Sequence, residues 1–174
     1  MMFRALLIAC VTFSAMDAGI LFGARYGIAD QKGSYKGVGT DKDDKRPWGA
    51  GLTAGYAFES VRIVGALDDF DKDKKATLAT LGVHMIESDD EFIHGLLGFD
   101  VGQLEYRHEL APKAEKVTVG GLSIGLILLD ERFPNMQMEL AYRYLKRFGS
   151  LPEDVKIKDV QHIYLGLSFD LDLF

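Results

Sequence analysis

The chain has 174 residues and a formal net charge of -6, with one cysteine and 19 glycines. That length suits a single domain. The acidic balance excludes nucleic acid, or anionic lipid held by bulk charge, as the natural partner. The lone cysteine, Cys10, excludes an internal disulfide.

The first segment, residues 1–18, has a short basic head ending at Arg4 and an apolar run from Ala5 to Met16. It is too short for the ~20 residues of a spanning helix and has the form of a signal peptide, with cleavage expected near Ala18. Leu7-Ile8-Ala9-Cys10 offers a second reading as a lipoprotein box. No later apolar run approaches spanning length. A chain that enters a membrane after export must therefore do so as a closed barrel of strands, which is the expectation for residues 19–174.

Alternation of apolar with small or polar residues marks eight strands in that region. The first covers Ile20 to Ile28 and the second Trp48 to Phe58; the third runs from Val61 to about Asp68 and the fourth from Thr77 to Met85. The fifth covers Phe92 to about Gln103 and the sixth Val117 to Leu129. In the sixth, Val117 and Val119 sit out of phase with the apolar row Leu122, Ile124, Leu126, Leu128, which predicts a bulge at Gly120-Gly121. The seventh runs from Met136 to Leu145. The last, within Val160 to Phe174, places Ile163, Leu165, Leu167, Phe169, Leu171 and Leu173 on one face. Long, charged links alternate with short ones such as Glu59-Ser60 and Ser88-Asp89-Asp90. Tilted membrane strands need about 9–11 residues, and barrels of this kind alternate long outer loops with tight turns.

The apolar rows carry no charge. Arg25, Arg62, Asp100, Glu139, Arg143, Asp170 and Asp172 all fall on the opposite phase and are expected to form a paired charge network in the lumen. Glu139 and Arg143 are too far apart along their strand to touch, so partners from neighbouring strands are expected. The opposite face is otherwise mostly Gly, Ala, Ser and Thr. That suits the inside of a narrow barrel better than the water-facing side of a soluble one. Phe22, Tyr26, Trp48, Tyr56, Phe58, Tyr142, Tyr144 and Phe169 fall on the apolar rows, where they would form girdles at the membrane interfaces.

These features resemble the small OmpA/OmpX-like outer-membrane β-barrel family. The resemblance rests on strand count, alternation, leader and the terminal Leu171-Asp172-Leu173-Phe174. It implies an all-β, eight-stranded antiparallel up-and-down transmembrane barrel in the outer membrane of a Gram-negative bacterium. Lipopolysaccharide and membrane lipid would surround it. The barrel-assembly machinery would read Leu171, Leu173 and Phe174 as the insertion signal. The family includes tethering scaffolds, host-interaction proteins, small porin-like pores and a few lipid-modifying enzymes. Lipid A deacylases of this size use a Ser-His-acid site with a His-x-Ser motif, and no histidine here is followed two residues later by serine.

Histidines 84, 94, 108 and 162 are scattered, without zinc-ligand spacing, and read as structural or surface residues. Ser123 and Ser168 read as small lumen fillers. The sequence thus leads to a barrel with a structural or surface-interaction role, neither enzyme nor metal or cofactor protein, its surface ligand unnamed. A narrow pore for ions or small solutes is the alternative, and a soluble lipocalin-like binder of a hydrophobic ligand the third.

Overall fold

The computed structural model describes residues 19–35, 48–58, 60–70, 76–87, 92–106, 115–148 and 155–171. They form eight strands: β1 (Gly19–Tyr35), β2 (Trp48–Phe58), β3 (Val61–Phe70), β4 (Ala76–Glu87), β5 (Ile93–Tyr106), β6 (Glu115–Leu129), β7 (Met136–Phe148) and β8 (Val155–Leu171). Each pairs antiparallel with its sequence neighbours, and β8 closes onto β1 from Ile20 opposite Leu171 to Ile28 opposite Ile163. In a closed ladder every strand has a partner on both sides, so within the belt no backbone edge faces lipid.

Period two then decides every side chain. Leu52, Leu81, Leu97, Ile124, Leu140 and Leu165 lie outside and are exposed, whereas Leu21, Leu96, Ile127 and Leu145 lie inside and are buried. The greasy rows therefore line no cavity, which removes the lipocalin-like arrangement. Along β1 the outer row runs from Ile20 to Ile28. Eight steps of ~3.3 Å at a tilt near 40° give roughly 20 Å of height between Cα atoms, close to the ~25 Å apolar band of a membrane barrel.

Two differences from the alternation pattern stand out. β6 runs without a bulge: Leu104 opposite Val117 through Ile93 opposite Leu128 keeps one register. Val117 and Val119 are buried inside with Leu104, Leu145 and Val160, in an apolar layer that caps the lumen at the end bearing the long links. An apolar residue in the inward phase signalled that cap, not a phase change. The actual register shift lies in the β1–β8 ladder between Lys32 and Gly33. Secondly, β1, β7 and β8 extend past the alternating segments at the long-link end, β1 to Tyr35 and β8 from Val155. Beyond the apolar belt the ladder still satisfies the backbone, but side chains no longer need to alternate.

Aromatic rings mark both rims. Tyr26 stacks on Trp48 at 5.4 Å on the long-link side, and Phe22 on Phe169 at 5.9 Å on the short-turn side. Tyr142 donates its hydroxyl to Gln161 at 3.2 Å and Tyr144 donates to Asp159 at 3.5 Å, both directed toward the long-link end. Tyr56 is exposed on the outer face and Phe58 is half-buried there.

The outward rows predict the effect of a buried-in-lipid charge. Ile124→Arg, in the middle of the belt, is expected to lower the unfolding free energy in phospholipid bilayers by about 2–4 kcal/mol. Urea unfolding of the reconstituted protein measures this. A change within about 0.5 kcal/mol, the usual range for a water-facing surface position, would place that face in water.

Candidate functional site

The lumen holds the chemistry. Six charged side chains are buried in it, three arginines (Arg25, Arg62, Arg143) and three acids (Asp68, Asp100, Glu139), so their formal charges cancel. A charge removed from water must be compensated on the spot, because the cost of leaving it alone is several kcal/mol. The pairing shows how each is compensated. Arg25 on β1 makes a bidentate pair with Asp68 on β3, through Nε and Nη2. Arg62 on β3 reaches Glu139 on β7 at 2.5 Å. Arg143 on β7 lies 3.3 Å from Asp100 on β5 and 3.9 Å from Asp68 on β3.

None of these partners is on an adjacent strand. β3 and β7 stand on opposite sides of the ring of eight, so for these ion pairs the expectation of neighbouring-strand partners is corrected. Neighbouring strands do supply neutral partners: Tyr164 on β8 donates to Glu139, and Arg143 donates to Ser123 on β6. The lumen is narrow enough for a guanidinium to cross it, and strand periodicity alone carries no information about what lies across. β2 makes room for this. Its inward positions include Gly49, Gly51, Thr53 and Gly55, and a β-carbon on Gly51 would collide with the Asp68 carboxylate. Gly82 has the same role on β4, where a β-carbon would run into Asp100 and His84.

Neutral groups link the pairs into one network. Arg62 Nε donates to His84 Nδ1 at 3.2 Å, and His84 Nε2 lies 3.3 Å from Asp100 Oδ1. With Nδ1 accepting, Nε2 carries the proton and donates to the carboxylate. Ser123 donates to Asp100 and accepts from Arg143 Nε at 3.3 Å, while Arg143 Nη1 donates to Thr80 Oγ1 at 3.3 Å. Tyr164 donates its hydroxyl to Glu139 at 2.6 Å. Its ring lies 4.8 Å from the Arg25 guanidinium and 5.3 Å from that of Arg143. His162 packs edge-on against Phe70 at 5.0 Å, beneath the apolar cap.

Sequence reading missed Asp68, Tyr164 and Thr80; it read His84 as a lone structural or surface residue and Ser123 as filler, and both bond within the network. Asp68 shares the inward phase of Arg62, Val64 and Ala66 on β3, and that phase was the available signal. Asp170 is half-buried at the short-turn end, where its backbone N–H donates to Asn135. Asp172, Leu173, Phe174 and His108 lie outside the described residues, as do residues 1–18, while Leu171 is exposed on the outer face. His94 is half-buried, and Ser168 is buried in the lumen.

The described lumen is lined by paired charges and their hydrogen-bond partners. Ser123, Asp100 and His84 are the residue types of a hydrolytic triad, but here serine donates to Asp100 and not to His84, which is not the serine-to-histidine order of such a triad. A cavity of about 20 Å³ beside Arg62, Glu139, Tyr164 and Ser168 has room for about one water molecule. The apolar cap closes the long-link end, and Leu21, Leu96 and Ile127 pack inside toward the short turns. Among the described residues, no group of three His, Cys, Asp or Glu side chains gathers as a metal site.

No protein-family model matches the chain, and no curated protein does. Solved structures match it in fold. The N-terminal β-barrel domain of Pseudomonas aeruginosa OprF aligns with a TM-score of 0.62 at 11% identity, over 90% of this chain and 98% of that one. Neisserial surface protein A (NspA) aligns with a TM-score of 0.59 at 15% identity, over 87% and 96%. Ail, the attachment invasion locus protein of Yersinia pestis, aligns with a TM-score of 0.50 at 18% identity, over 90% and 99%. At such identities the likeness is one of fold: the chain has the eight-stranded antiparallel fold of the small OmpA/OmpX-like outer-membrane barrels.

Removing one member of a cross-lumen pair leaves its partner buried and unpaired. Arg62→Met and Glu139→Leu are each expected to destabilise the barrel by about 3–5 kcal/mol. The double variant is expected to recover most of that loss, because neither charge remains. Urea unfolding of the four proteins forms the cycle, and additive losses would show that the two residues act independently.

Proposed function

We propose that the protein is an exported outer-membrane barrel that acts as a scaffold. Its long links would meet surface sugar, lipid or another protein, while its lumen stays shut. The observation that carries this reading is the lumen itself: three cations and three anions joined by ion pairs and hydrogen bonds beneath an apolar cap. A conducting pore needs a continuous water column, and an eight-stranded barrel filled by its own side chains leaves little room for one. The wiring of Ser123 to Asp100 argues against hydrolysis in the same way.

Position in the outer membrane rests on the apolar belt and the fold. Lipopolysaccharide would face the long-link half, with Tyr26, Trp48, Tyr142 and Tyr144 at its boundary, and phospholipid would face the short-turn half. Export through residues 1–18 and assembly by the barrel-insertion machinery follow from the same reading. Two proteins of this fold are a surface protein and an attachment invasion protein, so the fold is compatible with a surface-contact role.

Planar-bilayer recording tests the closed lumen. The purified protein is expected to insert without steady unitary current steps at moderate voltage. Reproducible ohmic openings would overturn the scaffold reading in favour of the narrow pore.

A further inference from the structure

β6 and β7 are joined at the short-turn end by residues 130–135, and this link is built more firmly than a solvated connection requires. Asp130 accepts from the Arg132 backbone N–H at 2.9 Å, from its Nε at 3.0 Å and, through the second oxygen, from Nη2 at 2.7 Å. Two consecutive turns follow: Phe133 N–H donates to Asp130 O, and Met136 N–H donates to Phe133 O, each at 2.9 Å. Pro134 then fixes the backbone that follows Phe133. Arg132 holds the Asp130 carboxyl below its ordinary value, at about 2. The clamp is therefore fully present above the usual carboxylate range and is lost only as pH falls toward 2.

This rigid turn presents one large apolar side chain. Phe133 is 54% exposed. Members of the lipid-facing rows flank the turn: Leu128 and Met138 are exposed on the strands on either side of it, and Phe92 is exposed beside Leu129, whose N–H donates to the Phe92 carbonyl at 2.9 Å. Asp130 neutralises Arg132, and exposed Glu131 leaves the turn with one net negative charge. The turn joins two strands whose outer rows face lipid, and this position selects lipid as the occupant. The negative charge disfavours anionic headgroups and suits zwitterionic ones.

We propose that Phe133 is a lipid anchor, seated in the interfacial layer of the zwitterionic phospholipid leaflet at the short-turn end. There it sets the depth of that side of the barrel. An aromatic ring at a membrane–water boundary is favourable because its apolar body leaves water without reaching the hydrocarbon centre. This inference rests on the membrane reading above.

Trp48 is the chain's single tryptophan, which makes the test clean. The Trp48→Phe, Phe133→Trp double variant would be reconstituted in vesicles of phosphatidylcholine and phosphatidylethanolamine carrying bromines either near the headgroups or near the chain ends. Emission is expected at shorter wavelength than for tryptophan in water, with quenching stronger from the shallow bromines. Emission at the wavelength of water-exposed tryptophan, quenched by acrylamide but not by bromine, would overturn the anchor and leave the turn to solvent or a soluble partner. Wild-type Trp48 in the same vesicles separates the two readings. If Trp48 is quenched and the reporter at the turn is not, the anchor alone fails; if neither is quenched, the membrane reading fails with it.

Discussion

A peptide group in hydrocarbon has no water to bond, so each amide and carbonyl must find a partner within the protein. For a chain that crosses with strands, this requirement is met only by closure, and closure with eight strands leaves a narrow tube. The outward rows become lipid-facing because they are all that remains for the bilayer to touch. The inward rows are confined to a space that side chains nearly fill. The β1–β8 ladder, in register from Ile20 to Ile28, completes that closure.

The narrowness then shapes the interior chemistry. Long arginine side chains cannot lie along the wall without meeting the opposite side, so they extend across and pair there. Arg62 with Glu139 ties β3 to β7, and Arg143 ties β7 to both β5 and β3. These struts replace the packed core of a soluble protein. They hold only if fully satisfied, which explains why His84, Ser123, Thr80 and Tyr164 are drawn into the same network. Glycines on β2 and β4 supply the space that the carboxylates occupy. The side chains that brace the wall are thus the same ones that occupy the lumen.

The fold was readable from the chain because lipid enforces a strict period of two. Rows such as Leu122, Ile124, Leu126, Leu128 leave little freedom in assigning faces. Strand ends were less readable, since pairing at the long-link end outlasts the belt and polar side chains are admitted there. The inward phase identified most of the buried charges but not which of them pair. Asp68 was lost beside Asp69, where the pair of acids resembles the start of a charged link. Contacts across the lumen depend on the diameter of the closed ring and the reach of arginine, neither of which is written in local periodicity. Val117 and Val119 show the same limit. Without knowledge of the apolar cap, an inward apolar residue looks like a slipped register.

Closure is therefore the central claim, and gel mobility tests it most directly. Protein extracted from outer membranes in detergent would be run unheated and boiled. A compact, faster-migrating unheated band that converts to a slower one on boiling is the expected result, because a closed ladder resists detergent until heat opens it. One band of unchanged mobility, with the protein recovered in the soluble fraction, would contradict a closed membrane barrel.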